Sequence, residues 1–385
     1  MNIAILTQPL RNNYGGLLQN FALQKTLKKY GHKVVTIDQG NKVVSKLHQM
    51  LYDMKLYVLH ILNPHKYAKP IYRLNETQDR IVRNNVRYFI DKYISHTSVC
   101  RCESDIAEAA LRFKTQAIIV GSDQCWRASY NPHLPSMFLS FLGERNDLKR
   151  IAYAVSFGID KWELCKSETI PYRKLAKRFN LITVRELSGV DVCKNSLGVD
   201  AVHVLDPTLL LTKEDYMELV INEGESKSEG TLFTYILDPT AEKTAFINKV
   251  AKHQKLEPFM ILPKYKEEYC TAKNIKNQIN DCVYPTVTKW LRSFMDAEMT
   301  IVDSFHGMVF SILFNKPFWV IANSSRGNTR FTSLLSILNL EERLISIEQL
   351  NYIDYTKPIN WENVNQVLER ERQRSINLLI KELDS

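Results

Sequence analysis

The opening of the chain constrains its fold more than any other feature. Residues 2–7, NIAILT, form a short apolar run, and the polar, glycine-bearing loop RNNYGG follows. In LLQNFALQKTLKKY, Leu17, Phe21 and Leu27 then recur at helical spacing before Gly31, and HKVVTID is a second apolar run ending at Asp38. An apolar run, a helix and a second apolar run make a βαβ unit, which demands a parallel sheet with helices packed on it. The same alternation returns in QAIIVGSD, RIAYAVSFG, LITVRE and AVHVLDPTLLL. It starts again in the second half with TLFTYIL, EPFMILPK, EMTIVDS and KPFWVIA, with a helix around KWLRSFM and another in HGMVFSILFN. With 385 residues and no repeat relating the halves, the pattern predicts an α/β protein of two Rossmann-like domains facing a cleft.

We read residues 1–221 as the first domain, 222–230 as a linker and 231–355 as the second domain. Residues 356–385 are a charged amphipathic helical tail expected to pack back on the first domain. The stretch EGESKSEG carries the linker reading, because it joins Gly, Ser and charge with no apolar anchor. Residues 41–112 break the alternation. They are rich in Tyr, His and Lys, poor in strands and helical in period, with VRNNVRYFIDKYI the clearest piece, so they read as a helical insertion.

Composition excludes several classes. With 45% apolar and 24% charged residues the chain is neither disordered nor fibrous. The formal net charge of +9 suits an anionic partner: a phosphorylated metabolite, an acidic lipid face or nucleic acid. The basic residues are dispersed and no DNA- or RNA-reading motif appears, so nucleic acid is not expected. Seven cysteines without a recurring spacing read as reduced thiols, and the lone CxC pair, Cys100 and Cys102, has no partner set for a metal. No signal peptide or membrane-length apolar run is seen, which predicts a soluble, cytoplasmic protein that could still sit on a membrane surface.

The chemistry-bearing residues gather where strands end. In TIVDSFHGMVFSILFNKPFWVI an apolar strand stops at Val302 and His306-Gly307 open a helix. Helix N-termini at strand ends bind anions, Gly307 allows close backbone approach, and His306 exchanges protons near neutral pH. The competing reading is a capping role, with Asp303 or Ser304 as N-cap. In NSSRGNTRF, Arg326 and Arg330 flank Gly327 and suit a carboxylate or phosphate. Arg185 ends the strand of TVRE and is either an anion ligand or an ion pair. NNYGGLLQ lies where a nucleotide-binding fold places its phosphate loop, but it matches neither GxGxxG nor a P-loop. In VGSDQCW, residues Ser122, Asp123 and Gln124 could hold sugar hydroxyls or form an Asx turn. Cys125 has no sequence-local His, so a thiol nucleophile is not expected. No metal-binding motif occurs.

In order, NYGGLLQNFALQKTLKKYGHKVVTID, VGSDQCW, AYAVSFG, TVRE, VLDPTLLL and DSFHGMVFSILFNKPF resemble the polysaccharide pyruvyl transferase family. The likeness runs from about residue 1 to 345 and leaves the insertion poorly covered. Many members of that family carry an Arg two residues before the His, where this chain has Ser304. The resemblance implies a fold similar to the GT-B glycosyltransferases. It implies transfer of a pyruvyl group from phosphoenolpyruvate, with no cofactor, to two hydroxyls of a sugar, giving a cyclic ketal. The acceptor would be a glycan, typically lipid-linked, bound for a capsule, exopolysaccharide or other surface polymer. Separately, the +9 charge without a spanning segment predicts peripheral contact with an anionic membrane, with residues 41–112 the candidate contact. By that likeness His306 is the acid/base. Arg185 and Arg326 bind the donor, with Ser304, Gly307 and Arg330 beside them. Asn13, Tyr14, Gly15, Gly16 and Gln19, with Ser122, Asp123 and Gln124, form the acceptor side. A nucleotide-sugar glycosyltransferase and a non-catalytic glycan-binding protein are the competing readings.

Overall fold

A computed structural model describes residues 1–40, 46–63, 73–265, 272–323, 327–350 and 352–385. Two parallel sheets organise it. The first holds β1 (Asn2–Leu6), β2 (Lys33–Ile37), β3 (Ala117–Val120), β4 (Lys149–Val155), β5 (Leu181–Val184) and β6 (Val202–His203), in the order β2-β1-β3-β4-β5-β6. The second holds β7 (Leu232–Tyr235), β8 (Pro258–Phe259), β9 (Met299–Val302), β10 (Phe318–Ile321) and β11 (Leu344–Ile345), in the order β11-β10-β9-β7-β8. Register follows directly from the apolar runs: Ile5 lies beside Thr36 on one flank and Ile119 on the other, and Tyr235 lies beside Val302. Every residue of β3, β7, β9 and β10 is buried, as strands covered by helices on both faces must be.

The order of each sheet places one reversal. In the first it falls between β1 and β3, and in the second between β7 and β9. At such a point the loops leaving neighbouring strands part to opposite faces and open a crevice beyond the strand ends. The helix after β1, Tyr14–Lys29, starts at this crevice, capped by Asn13, whose side chain accepts from the Gly16 amide at 3.1 Å. Across the gap, Tyr14 donates to the Pro285 carbonyl at 2.7 Å and its ring lies 5.9 Å from that of Trp290. One apolar cluster runs through both halves, from Leu17 and Phe21 through Tyr216 to Phe310 and Trp290.

Some apolar runs are shorter as strands than they look. AVHVLDPTLLL forms strand only at Val202–His203, because Pro207 has no amide to extend a ladder and Asp206 caps a 3₁₀ turn, Pro207–Leu210. EPFMILPK yields only the edge pair Pro258–Phe259. Within residues 41–112 the described elements are the helices Lys46–Leu62, Glu76–Val82, Asn84–Tyr93 and Glu103–Arg112. An extended piece among them bridges β2 at Thr36–His96. The stretch EGESKSEG is held more firmly than its composition suggests. Glu225 accepts from Thr288 Oγ1 at 2.6 Å and from Thr286, and the Ser228 amide donates to Asp296 at 2.8 Å. The helix Trp361–Asp384 returns to the first sheet, where Ile376, Leu379 and Leu383 pack with Ile3, Ile5 and Val204. Lys149 Nζ reaches the Glu382 carbonyl at 2.6 Å and fixes its last turn.

Candidate active site

A cavity of about 300 Å³ lies where the two reversals face each other. The first half contributes Asn12, Asn13, Tyr14 and Gly15 after β1, and Asp123, Gln124 and Tyr130 after β3. The second contributes Leu237 after β7, Asp303, Ser304, Phe305 and His306 after β9, and Arg330, with Tyr235, Leu262, Tyr284, Trp290 and Phe331 closing it. Asp303 is a structural member of this wall. It is fully buried, pairs with Lys243 at 2.8 Å, and accepts the Leu237 and Asp238 amides at 2.6 and 3.1 Å, so it locks the β7 loop to the β9 loop.

His306 stands on the first turn of the helix Phe305–Leu313. Ser304 is the N-cap and accepts the Gly307 amide at 3.0 Å. Gly307 faces inward. A Cβ there would meet Ser304 Oγ at 2.7 Å and Val302 Cβ at 3.0 Å, so the close approach it permits is helix to strand. The imidazole is wedged against the first half of the chain. A Cβ on Gly15 would lie 2.0 Å from His306 Nδ1 and 2.2 Å from its Cγ, so only glycine leaves room for the ring. On the other side, His306 Nε2 lies 3.8 Å from Asp206 Oδ2, within ion-pair range but beyond a hydrogen bond.

Asp206 belongs to a buried charge network. Its Oδ1 accepts the Thr208 amide at 3.0 Å and hydroxyl at 2.7 Å, and its Oδ2 takes Arg185 at 2.6 Å. Arg185 bridges onward to Asp123 at 2.8 Å, and its guanidinium lies 4.7 Å from the Phe305 ring centre. Burial alone would raise the Asp206 carboxyl, but the neighbouring His306 and Arg185 hold it well below the usual carboxylate range. Asp123 is held low in the same way, its burial outweighed by Arg185, His306 and Arg330. Glu186 goes the other way: burial pushes it up, although Ser156 and the Gly158 amide at 3.3 Å donate to it. Arg330 is the guanidinium on the cavity wall itself, 5.8 Å from the Phe305 ring. Burial and then repulsion from Arg185 bring its pKa down to about 10, so it stays charged at neutral pH.

The polysaccharide pyruvyl transferase family model matches residues 13–325. The chain belongs to this family. No curated protein matches it. Among solved structures, Arabidopsis thaliana UGT89C1 complexed with UDP-L-rhamnose superposes with a TM-score of 0.53 at 9% identity, covering 99% of this chain and 98% of that one. UDP-GlcNAc 2-epimerase from Methanocaldococcus jannaschii gives 0.48 at 11% identity, covering 96% and 92%. The fold is therefore the two-domain, Rossmann-like GT-B arrangement, as the sequence implied. Membership makes the chain a transferase of polysaccharide biosynthesis with a glycan acceptor. No helix among the described residues is long and apolar enough to cross a membrane. Nor do those residues place three or more His, Cys, Asp or Glu side chains together as a metal site.

In this pyruvyl transferase, Asn13, Tyr14, Gly15, Asp123, Gln124, Ser304, His306 and Arg330 meet around the cavity. Five other expected ligands do not line it. Arg185 is spent on Asp123 and Asp206, Gly307 on helix packing, and Gln19 and Ser122 on each other, with Gln19 Oε1 accepting the Ser122 amide at 3.0 Å. Gly16 packs against its own cap, Asn13. Gln124 is partly occupied, since its Oε1 accepts from Arg127 at 2.8 Å. Arg326 lies outside the described residues. Sequence reasoning missed Asp206, whose signal was an acid closing an apolar run in VLDPT, and Phe305, whose ring lies 4.7 and 5.8 Å from the two buried guanidiniums.

Proposed function

We propose that the chain moves the pyruvyl group of phosphoenolpyruvate onto two hydroxyls of one sugar in a lipid-linked precursor of a surface polysaccharide such as a capsule. The products are a cyclic ketal and inorganic phosphate. The observation that carries this reading is the shared wall of His306 and Arg330, one proton-exchanging and one cationic, in a cavity also lined by the hydrogen-bonding groups of Asn12, Asn13, Tyr130 and Tyr284 and by the Asp123 carboxylate.

The chemistry follows from that division. The donor is an anion and needs a fixed positive partner, which Arg330 supplies in a site partly screened from water. Where many relatives carry an Arg two residues before the His, Ser304 caps the helix here, and Arg330 brings a guanidinium to Phe305 from the helix Thr329–Ile337. Protonation of the enol carbon leaves a cationic centre at C2, and one sugar hydroxyl bonds to it. The C2–O bond to phosphate then breaks and the second hydroxyl takes its place. Of the two hydroxyl protons released, one balances that added to carbon and one leaves with phosphate. His306 is placed to carry these protons, with the Asp206 carboxylate 3.8 Å from its Nε2. Such help is worth about 10²–10⁴-fold. Incubation with phosphoenolpyruvate and candidate glycans tests the reading. Phosphate release that needs both partners supports it, whereas nucleoside diphosphate release from a nucleotide sugar assigns the cavity to glycosyl transfer. His306→Gln, which keeps polarity without proton exchange, should remove phosphate release.

A further inference from the structure

The insertion builds a second cavity, of about 530 Å³, which shares no lining residue with the one described above. Its wall joins the loop after β1, the end of β2, and the helices Glu76–Val82 and Asn84–Tyr93. Five arginines line it, Arg11, Arg80, Arg83, Arg87 and Arg101, against two acids, Asp38 and Asp79. Asp79 is paired with Arg83, and Asp38 is buried and accepts the Leu10 amide at 3.3 Å. Arg11, Arg80, Arg87 and Arg101 are exposed, and none of the four is ion-paired among the described residues. Gln39 lines the same cavity while almost wholly buried, and its Nε2 has no hydrogen-bond partner among the described residues. Buried donors are rarely left so, and this one marks a place for an acceptor.

The helix Lys46–Leu62 belongs to the same insertion. Its Asp53 is paired at 3.0 Å with Arg73, just ahead of the helix that carries Arg80. Met50, Leu51, Met54, Val58, Ile61 and Leu62 fall on one stripe of it at helical spacing, and each is 50–75% exposed. Asp53 lies off that stripe. A helix that turns its apolar side to solvent, tied through Arg73 to the segment that bears unpaired cations, has the chemistry of an interfacial helix on acidic lipid.

We propose that the insertion seats the protein on an anionic lipid surface, with the apolar stripe of Lys46–Leu62 in the head-group layer and a lipid phosphate or diphosphate in the arginine-lined cavity. This goes beyond the proposed reaction and does not depend on it. The test is flotation of the full chain with phosphatidylcholine vesicles, with and without phosphatidic acid, alongside calorimetry with inorganic pyrophosphate.

The full chain should bind the phosphatidic acid vesicles and bind phosphatidylcholine alone far more weakly. Arg80→Ala with Arg87→Ala should weaken vesicle binding by about 25-fold, near fivefold for each cation. Lys166→Ala with Lys252→Ala, exposed lysines outside the insertion, should change it much less. Met54→Glu with Val58→Glu should abolish flotation yet keep pyrophosphate binding. All of these positions are exposed, so unchanged thermal melts are expected and serve as the folding control. Equal binding to the two vesicle types, or equal effects of the Arg and Lys pairs, would overturn the proposal. So would pyrophosphate binding by the unaltered chain without its flotation, which assigns the cavity to a soluble anion. A dimer that Met54→Glu dissociates would overturn it too, since the stripe would then be covered by a second copy.

Discussion

Replacing Gly15 by alanine should damage the reaction far more than the fold. The added methyl carbon would sit 2.0 Å from His306 Nδ1, where ordinary contact begins at 3.4 Å, so the imidazole must retreat by about 1.4 Å (3.4 minus 2.0). Overpacking of this kind costs about 1–3 kcal/mol. The Gly→Ala change within a helix returns up to about 1 kcal/mol. The melting temperature should therefore fall only modestly. A catalytic group displaced by about 1 Å loses on the order of 10²-fold in rate, so kcat for phosphate release should drop by that factor or more. Gly16→Ala is the matched control, because its methyl would first meet the Asn13 side chain, at 3.0 Å, and turnover should stay close to normal. Thermal melts and steady-state phosphate release on both variants check this. A folded Gly15→Ala enzyme with near wild-type kcat would refute the claim that His306 acts from where it is wedged.

Three other outcomes follow from the charges and the linker. Arg330→Met should raise KM for phosphoenolpyruvate by roughly 10- to 150-fold, the usual worth of a charge-assisted pair, and leave the acceptor KM little changed, as two-substrate kinetics can read. Asp206 and Asp123 have folded-state pKa values below their unfolded ones, so their stabilisation is complete above about pH 4 and is lost as pH falls further. Melts across acid pH should show a steeper loss for the native chain than for Asp206→Asn, which is less stable at neutral pH because Arg185 loses a buried partner. Limited proteolysis should cut first within 222–230, and Glu225→Ala should hasten it by freeing the contacts to Thr286 and Thr288. First cuts inside 120–210 would contradict the division of the chain there.

Parallel strands were legible because burial on both faces leaves them as unbroken apolar runs, and the helix at His306 because a polar turn separates it from one. What was not legible depends on residues far apart in the chain. Arg185 reads locally as either an anion ligand or an ion pair, and the partners that decide for the ion pair, Asp123 and Asp206, arrive from the loops after β3 and β6. The pair Gly15-Gly16 suggests a ligand loop, whereas Gly15 is required by an imidazole from the other half of the protein. Asp206 looks like an ordinary turn acid until the fold sets it beside His306. The helix Lys46–Leu62 lies in the stretch that reads as a helical insertion, but which of its faces meets solvent depends on the fold around it.

The central claim, ketal formation through a protonated enol carbon, has one direct measurement. Candidate glycans incubated with phosphoenolpyruvate and the enzyme in deuterium oxide, then returned to ordinary water, are weighed by mass spectrometry. The account predicts a product heavier by one pyruvic acid less one water, carrying a single deuterium in its new methyl group and absent with His306→Gln. No mass gain on any glycan, together with nucleoside diphosphate release from a nucleotide sugar, would contradict it.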